Sequence, residues 1–170
     1  MDNPLIFDDV GIRKLPLDER LIKCEEIIKH DKDESMRWDA VWLAGEIAAS
    51  TNLGDPKKYL FDKVSILMAW VLKNDENGVV KHEACYQIAA RNMRNNIPDL
   101  VHASLHDTSI LTRHEALESL ALMRATEVVG IIKNCSSDSS IDVRETANFV
   151  LKRLKRMQQL KGKYKPSNIL

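Results

Sequence analysis

Four stretches of this chain align without gaps, and that repetition limits the fold more than any other feature. They are Arg37-Trp38-Asp39-Ala40-Val41, Lys81-His82-Glu83-Ala84-Cys85, Arg113-His114-Glu115-Ala116-Leu117 and Val143-Arg144-Glu145-Thr146-Ala147. With Trp38, His82, His114 and Arg144 as a reference column, the spacings are 44, 32 and 30 residues. Periods of about 20–50 residues mark repeats of one supersecondary unit. The long first interval contains two turn stretches, 50–56 and 74–78, which read as insertions at surface loops. Three positions past the reference stand Val41, Cys85, Leu117 and Ala147; six past stand Ala44, Ile88, Leu120 and Val150. Apolar positions at these offsets make one face of a helix.

A further amphipathic stripe precedes each segment. Leu21, Cys24, Ile27 and Ile28 form the first, and Val64, Leu67, Met68, Val71 and Leu72 the second. Leu100, Val101 and Leu105 come after Pro98, which a helix tolerates in its first turn. Val128, Ile131, Ile132 and Cys135 form the last. The pattern predicts an all-α fold, an α-solenoid of about four HEAT-like helical hairpins. Pairs this short cannot bury their apolar faces alone and must stack on their neighbours. The expected organisation is an N-terminal extension over 1–16, the repeat domain over 17–157 and a basic tail over 158–170.

Composition narrows the function classes. The 25 basic and 25 acidic residues cancel, so charge balance predicts neither a membrane nor a nucleic-acid partner. From Lys152 to Lys165 seven basic residues stand without an acidic one. A solvated helix end explains them, and an acidic protein or RNA partner is the sharper alternative. Cys24, Cys85 and Cys135 are widely spaced within apolar patterns and read as buried core residues. The start of the chain lacks the basic and apolar regions of a signal peptide, and the longest apolar run, 65–72, is too short to span a bilayer. A reducing, cytoplasmic setting is expected.

The chemistry lies in the two central repeats. A helix turns about 100° per residue. His82 and His114 then fall on the flank of the core face, and Glu83 and Glu115 are expected to project into the open. Stacked helices about 8–10 Å apart would let such side chains meet. Imidazole with carboxylate suits Fe, Mn or Zn, and two His with one carboxylate and open positions is the pattern of non-haem iron oxygen chemistry. In the outer repeats Trp38-Asp39 and Arg144-Glu145 take the same positions. His102 and His106, four apart, also have metal-binding spacing, but a polar helix face explains them. His30 reads as a dipole-compatible helix end.

The run Val80-Lys81-His82-Glu83-Ala84-Cys85-Tyr86 resembles the first HE motif of the deoxyhypusine hydroxylase family. The run from Thr112 to Leu120, with His114-Glu115, resembles the second, and residues 127–154 are similar to the family's segment C-terminal to that motif. The likeness spans roughly residues 18–157. It implies a HEAT-repeat diiron monooxygenase acting with O2 on a modified lysine of a translation factor. It also implies His82, His114 and Glu115 as iron ligands, with Glu83 holding the substrate amine or assisting at the metal. The family enzyme carries two such halves and two irons, whereas this chain supplies one half, so a homodimer is expected to complete the site. Where the family has Leu-Gly after the first motif, this chain has Gln87-Ile88-Ala89-Ala90-Arg91. A non-catalytic HEAT adaptor and a diiron O2 or peroxide sensor are the competing functions.

Overall fold

The computed structural model describes residues 7–51 and 56–160. Among them are nine α-helices and no strand. They are α1 (Asp9–Lys14), α2 (Leu17–His30), α3 (Glu34–Ala49), α4 (Lys58–Asn74), α5 (Gly78–Ala90), α6 (Ile97–His106), α7 (Ile110–Leu122), α8 (Val129–Ile132) and α9 (Ile141–Leu160). The chain divides into two compact units, Met1–Met93 and Arg94–Leu170. In the first, α2 pairs with α3 and α4 with α5, and α3 and α5 lie side by side. In the second, α6 pairs with α7, and the segment Thr126–Ser137 pairs with α9, which lies beside α7. The expected all-α solenoid class of four helical hairpins is what the sequence forms.

A short polar motif starts every second helix. Asp31, Asp75, Asp107 and Asp138 each accept the backbone N–H two residues on, at 2.8–2.9 Å. That turns the chain so that Asp33, Asn77 and Ser109 cap α3, α5 and α7 with their side chains. Six residues past the loop aspartate comes a second anchor. Arg37, Arg113 and Arg144 each donate Nη1 to the carbonyls of that loop, to Asp31 and Lys32, Asp107 and Thr108, and Asp138 and Ser139. Arg37 also grips Asp75 of the next loop at 2.7 and 3.0 Å, and Arg113 grips Asp138 at 2.8 and 2.9 Å. These forked pairs tie hairpin to hairpin inside each unit.

The same bonds correct the register of the fourth repeat. Arg144 aligns with Arg37 and Arg113, not with Trp38, His82 and His114. Glu145 therefore takes the reference column, and Thr146 takes the position of Asp39, Glu83 and Glu115. The alanine column becomes continuous as Ala40, Ala84, Ala116 and Ala147, all fully buried.

Expected core residues are mostly buried, including the whole Val64–Leu72 stripe and all three cysteines. Ile131 is an exception at 51% exposure. Its helix is a single α-turn between two 3-10 turns, Thr126–Val128 and Lys133–Ser137, so the buried stripe narrows to Val128, Ile132 and Cys135. Asp9–Lys14, within the expected extension, is helical, and α9 continues to Leu160. Lys152, Lys155 and Arg156 are exposed, while Lys161, Lys163 and Lys165 and part of the 50–56 insertion lie outside the described residues.

Candidate metal centre

On α5 the exposed residues Val79, Tyr86 and Ala90 cluster in one narrow wedge, and His82 at its edge is half-buried. Every other direction is occupied. Val80, Ala84 and Ile88 face the core, and Glu83 and Gln87 are buried on the side toward α3. This corrects the expectation that the HE glutamates project into the open: Glu83 is 5% exposed and Glu115 7%. The single-face picture assumes one packing partner, whereas a second helix has two, its hairpin mate and the second helix beside it.

Glu83 is held from within its helix. Gln87 Nε2 donates to Glu83 Oε1 at 2.8 Å, and Gln87 has no exposed surface. Burial pushes the Glu83 carboxyl up from the ordinary glutamate range, against the lowering effects of the Gln87 bond and nearby Arg91. Gln87 reaches α3 at Gly45, where a Cβ would lie 1.9 Å from its Oε1. Arg91 Nε donates to the Gly45 carbonyl at 3.1 Å. Glycine at 45 is thus the seat for Gln87, and Gln87 Oε1 accepts no hydrogen bond among the described residues. The residue one turn past Glu83, Gln87, is therefore where this chain fixes its first HE carboxylate.

In the second unit, His114, Glu115 and Glu118 each present a ligand atom within 4.8 Å of one another. His114 Nδ1 lies 2.7 Å from Thr146 Oγ1, and Thr146 donates its own proton to the Asp142 carbonyl at 2.8 Å. Thr146 Oγ1 can then only accept from His114, so Nδ1 carries a proton and, in the neutral ring, Nε2 is the nitrogen that offers a lone pair. That tautomer is the one a metal needs at Nε2, and a partner at the other nitrogen is how ligand histidines are usually oriented. Nε2 points to Glu118 Oε2, 3.7 Å away. Glu118 lies outside the set expected from the sequence, although it stands four residues after His114, one helical turn on, at a spacing visible in the sequence. Thr146 is hidden from the sequence by the one-residue register error. The donors suit a divalent ion: one imidazole, one buried carboxylate and one half-exposed carboxylate.

His82 and Glu83 belong to the Met1–Met93 unit, and His114 and Glu115 to the other. His102 and His106 have ring centroids 5.0 Å apart on α6, and no third donor joins them among the described residues. No described helix is long and apolar enough to cross a membrane.

No family model matches the chain. Human deoxyhypusine hydroxylase is 36% identical to it over 99 residues, which is 56% of this chain and 32% of that protein. The bovine enzyme is 33% identical over 101 residues, 57% of this chain and 33% of the relative. The enzyme of Arabidopsis thaliana is 34% identical over 89 residues, 51% and 28% respectively. The chain thus spans about a third of the length of the curated relatives it matches. The solved structure of human deoxyhypusine hydroxylase in complex with glycerol superposes with a TM-score of 0.66 at 23% identity, covering 89% of this chain and 48% of that one. That likeness is one of fold.

Proposed function

Because this chain is a partial-length relative of the deoxyhypusine hydroxylases, we propose that it is an iron-dependent hydroxylase of that kind. It would act with O2 on a modified lysine of a translation factor. One observation carries the reading: the Thr146 acceptor fixes the His114 tautomer so that Nε2 offers its lone pair beside Glu115 and Glu118.

In this reading His114, Glu115 and His82 bind iron, with His82 assigned on its motif. Bound iron would supply O2 activation. Glu118, half-exposed beside His114 Nε2, adds a carboxylate to the same group. Glu83 receives the substrate amine. Its carboxyl is desolvated and orientated by Gln87, so an arriving ammonium would replace lost hydration and favour the ionised form. The chain covers 48% of the solved relative, and a second copy of this chain is the proposed source of the other half-site.

The test is iron analysis and an absorption spectrum of aerobically purified protein, together with turnover of a deoxyhypusine-bearing substrate. Iron lost in both His82→Ala and His114→Ala is the expected result. Protein that never holds iron would leave the adaptor reading, and iron-loaded protein without turnover would leave the sensor. Light scattering of the iron-loaded protein tests the dimer; a strict monomer with two irons would remove it.

A further inference from the structure

The outer side of α9 carries a pattern that its own packing does not use. Asp142, Glu145, Phe149, Lys152 and Arg156 follow one another at intervals of three, four, three and four residues. That spacing keeps all five in a stripe about 80° wide on a helix of 3.6 residues per turn. All five are exposed, and Phe149 at the centre is 63% exposed. The buried residues Val143, Ala147, Val150 and Leu154 lie on the other side of the helix. Glu145 stands in the column of His114, so Phe149 stands in that of Glu118, and the stripe shares a face with the His114 group. On α7 that face is bordered by the exposed Leu111 and Leu122.

Among the described residues, no side-chain hydrogen bond or ion pair holds Asp142, Glu145, Lys152 or Arg156. The helix dipole favours acids in the first turns and bases in the last. It gives no reason for a large exposed aromatic between them. The charges are also placed symmetrically about that ring. Asp142 and Arg156 stand seven residues to either side of Phe149, and Glu145 and Lys152 stand four before and three after it. An antiparallel copy of this helix, related by a two-fold axis at Phe149, therefore sets Phe149 against Phe149, Asp142 against Arg156 and Glu145 against Lys152. Each charged contact then occurs twice. A parallel copy would set like charges together. An acidic partner would match Lys152 and Arg156 but be repelled by Asp142 and Glu145, and a basic partner would meet the reverse. A self-complementary patch is what an isologous contact needs, and three-four spacing is the seam along which paired helices meet.

We propose that the exposed stripe of α9 is the surface on which a second copy of this chain docks, α9 against α9, antiparallel about Phe149. Because α7 lies beside α9 and shares the face, the docked copy also covers the His114, Glu115 and Glu118 group, with Leu111 and Leu122 at its rim. Only the purpose of the contact rests on the proposed half-site. The contact itself is read from α9 and forms whether or not iron is bound.

Light scattering of the whole chain over a concentration series, with and without a metal chelator, measures the association. A monomer–dimer equilibrium that weakens with added salt is expected, because the charged pairs lie at the surface. Phe149→Ser, Asp142→Lys and Arg156→Glu should each weaken it about ten-fold or more, since the two-fold axis repeats every loss. An equimolar mixture of the Asp142→Lys and Arg156→Glu chains should dimerise again, because each reversed charge then meets its opposite across the axis. Mixing changes the fold of neither chain, so that recovery cannot come from stability, and circular dichroism checks each variant alone. A dimer indifferent to all three substitutions, or a mixture that stays monomeric, overturns this contact and leaves the half-site open to another surface. A strict monomer at every concentration overturns both. A chelator-resistant dimer that never takes up iron upholds the contact and removes the iron reading alone.

Discussion

Gly45→Ala is the sharpest test of how the first HE carboxylate is fixed. Position 45 lies inside α3, where alanine is ordinarily better than glycine by about 1 kcal/mol. Propensity alone therefore predicts a more stable protein. The structure predicts the opposite sign. The added Cβ would stand 1.9 Å from Gln87 Oε1, 2.3 Å from its Cδ and 3.0 Å from its Cγ. A flexible surface side chain would swing away, but Gln87 has no exposed surface and is tied to Glu83. Overpacking a filled site costs about 1–3 kcal/mol. Losing a hydrogen bond to a charged group costs about 1.5–3 kcal/mol more where the carboxylate stays buried. Set against the propensity gain, the net loss is about 3 kcal/mol, or about 6–12 °C in Tm for a chain of this size. Thermal and urea denaturation of Gly45→Ala, Gln87→Ala and the double variant form a complete cycle. In the Gln87→Ala background, Gly45→Ala should be neutral or stabilising. If Gly45→Ala is equally destabilising there, or stabilising in the parent, the contact between these two residues is not what places glycine at 45.

Five further outcomes are expected. Thr146→Val keeps the fold but frees the His114 tautomer, and should cut iron affinity about 10–100-fold in a chelator competition. Glu83→Gln should retain iron yet abolish turnover, a split read by metal analysis beside a hydroxylation assay. Arg113→Ala strands Asp138 among few exposed atoms and should destabilise by about 3 kcal/mol in urea. The same pair sets an acid limit. Arg113 holds the folded Asp138 carboxyl below its ordinary value of 3.8, so the unfolded chain takes up the proton first. Its contribution is complete above that value and is lost as pH falls below it, and Asp138→Asn should flatten this part of the stability profile. Arg124 has φ 53 after α7, in the left-handed region that glycine occupies freely. Arg124→Gly should raise stability by up to about 1 kcal/mol.

Much of this architecture is legible from apolar spacing, because the helices pack along continuous faces. The α4 stripe is buried residue for residue as its period requires. Two features are not legible that way. Matching Val143-Arg144-Glu145-Thr146 on its apolar offsets sets the fourth repeat one residue out of register. The loop aspartates Asp31, Asp75, Asp107 and Asp138 fix it, each standing six residues before Arg37, Lys81, Arg113 and Arg144. The burial of Glu83 and Glu115 is the second, because a helical wheel counts the direction of a side chain and not the number of neighbours around it. Both His residues, by contrast, lie at the flank where their angle places them. Glu118 is reachable from helical spacing, whereas Thr146 requires coordinates.

The narrow exposed wedge on α5 has a consequence for redesign. Whatever residue occupies the columns of His82 and Tyr86 emerges on the working side of its hairpin, while the loop clamps and alanine column hold the scaffold regardless. Replacing Trp38 and Asp39 by His and Glu would inscribe a third imidazole–carboxylate couple without touching a single fully buried residue.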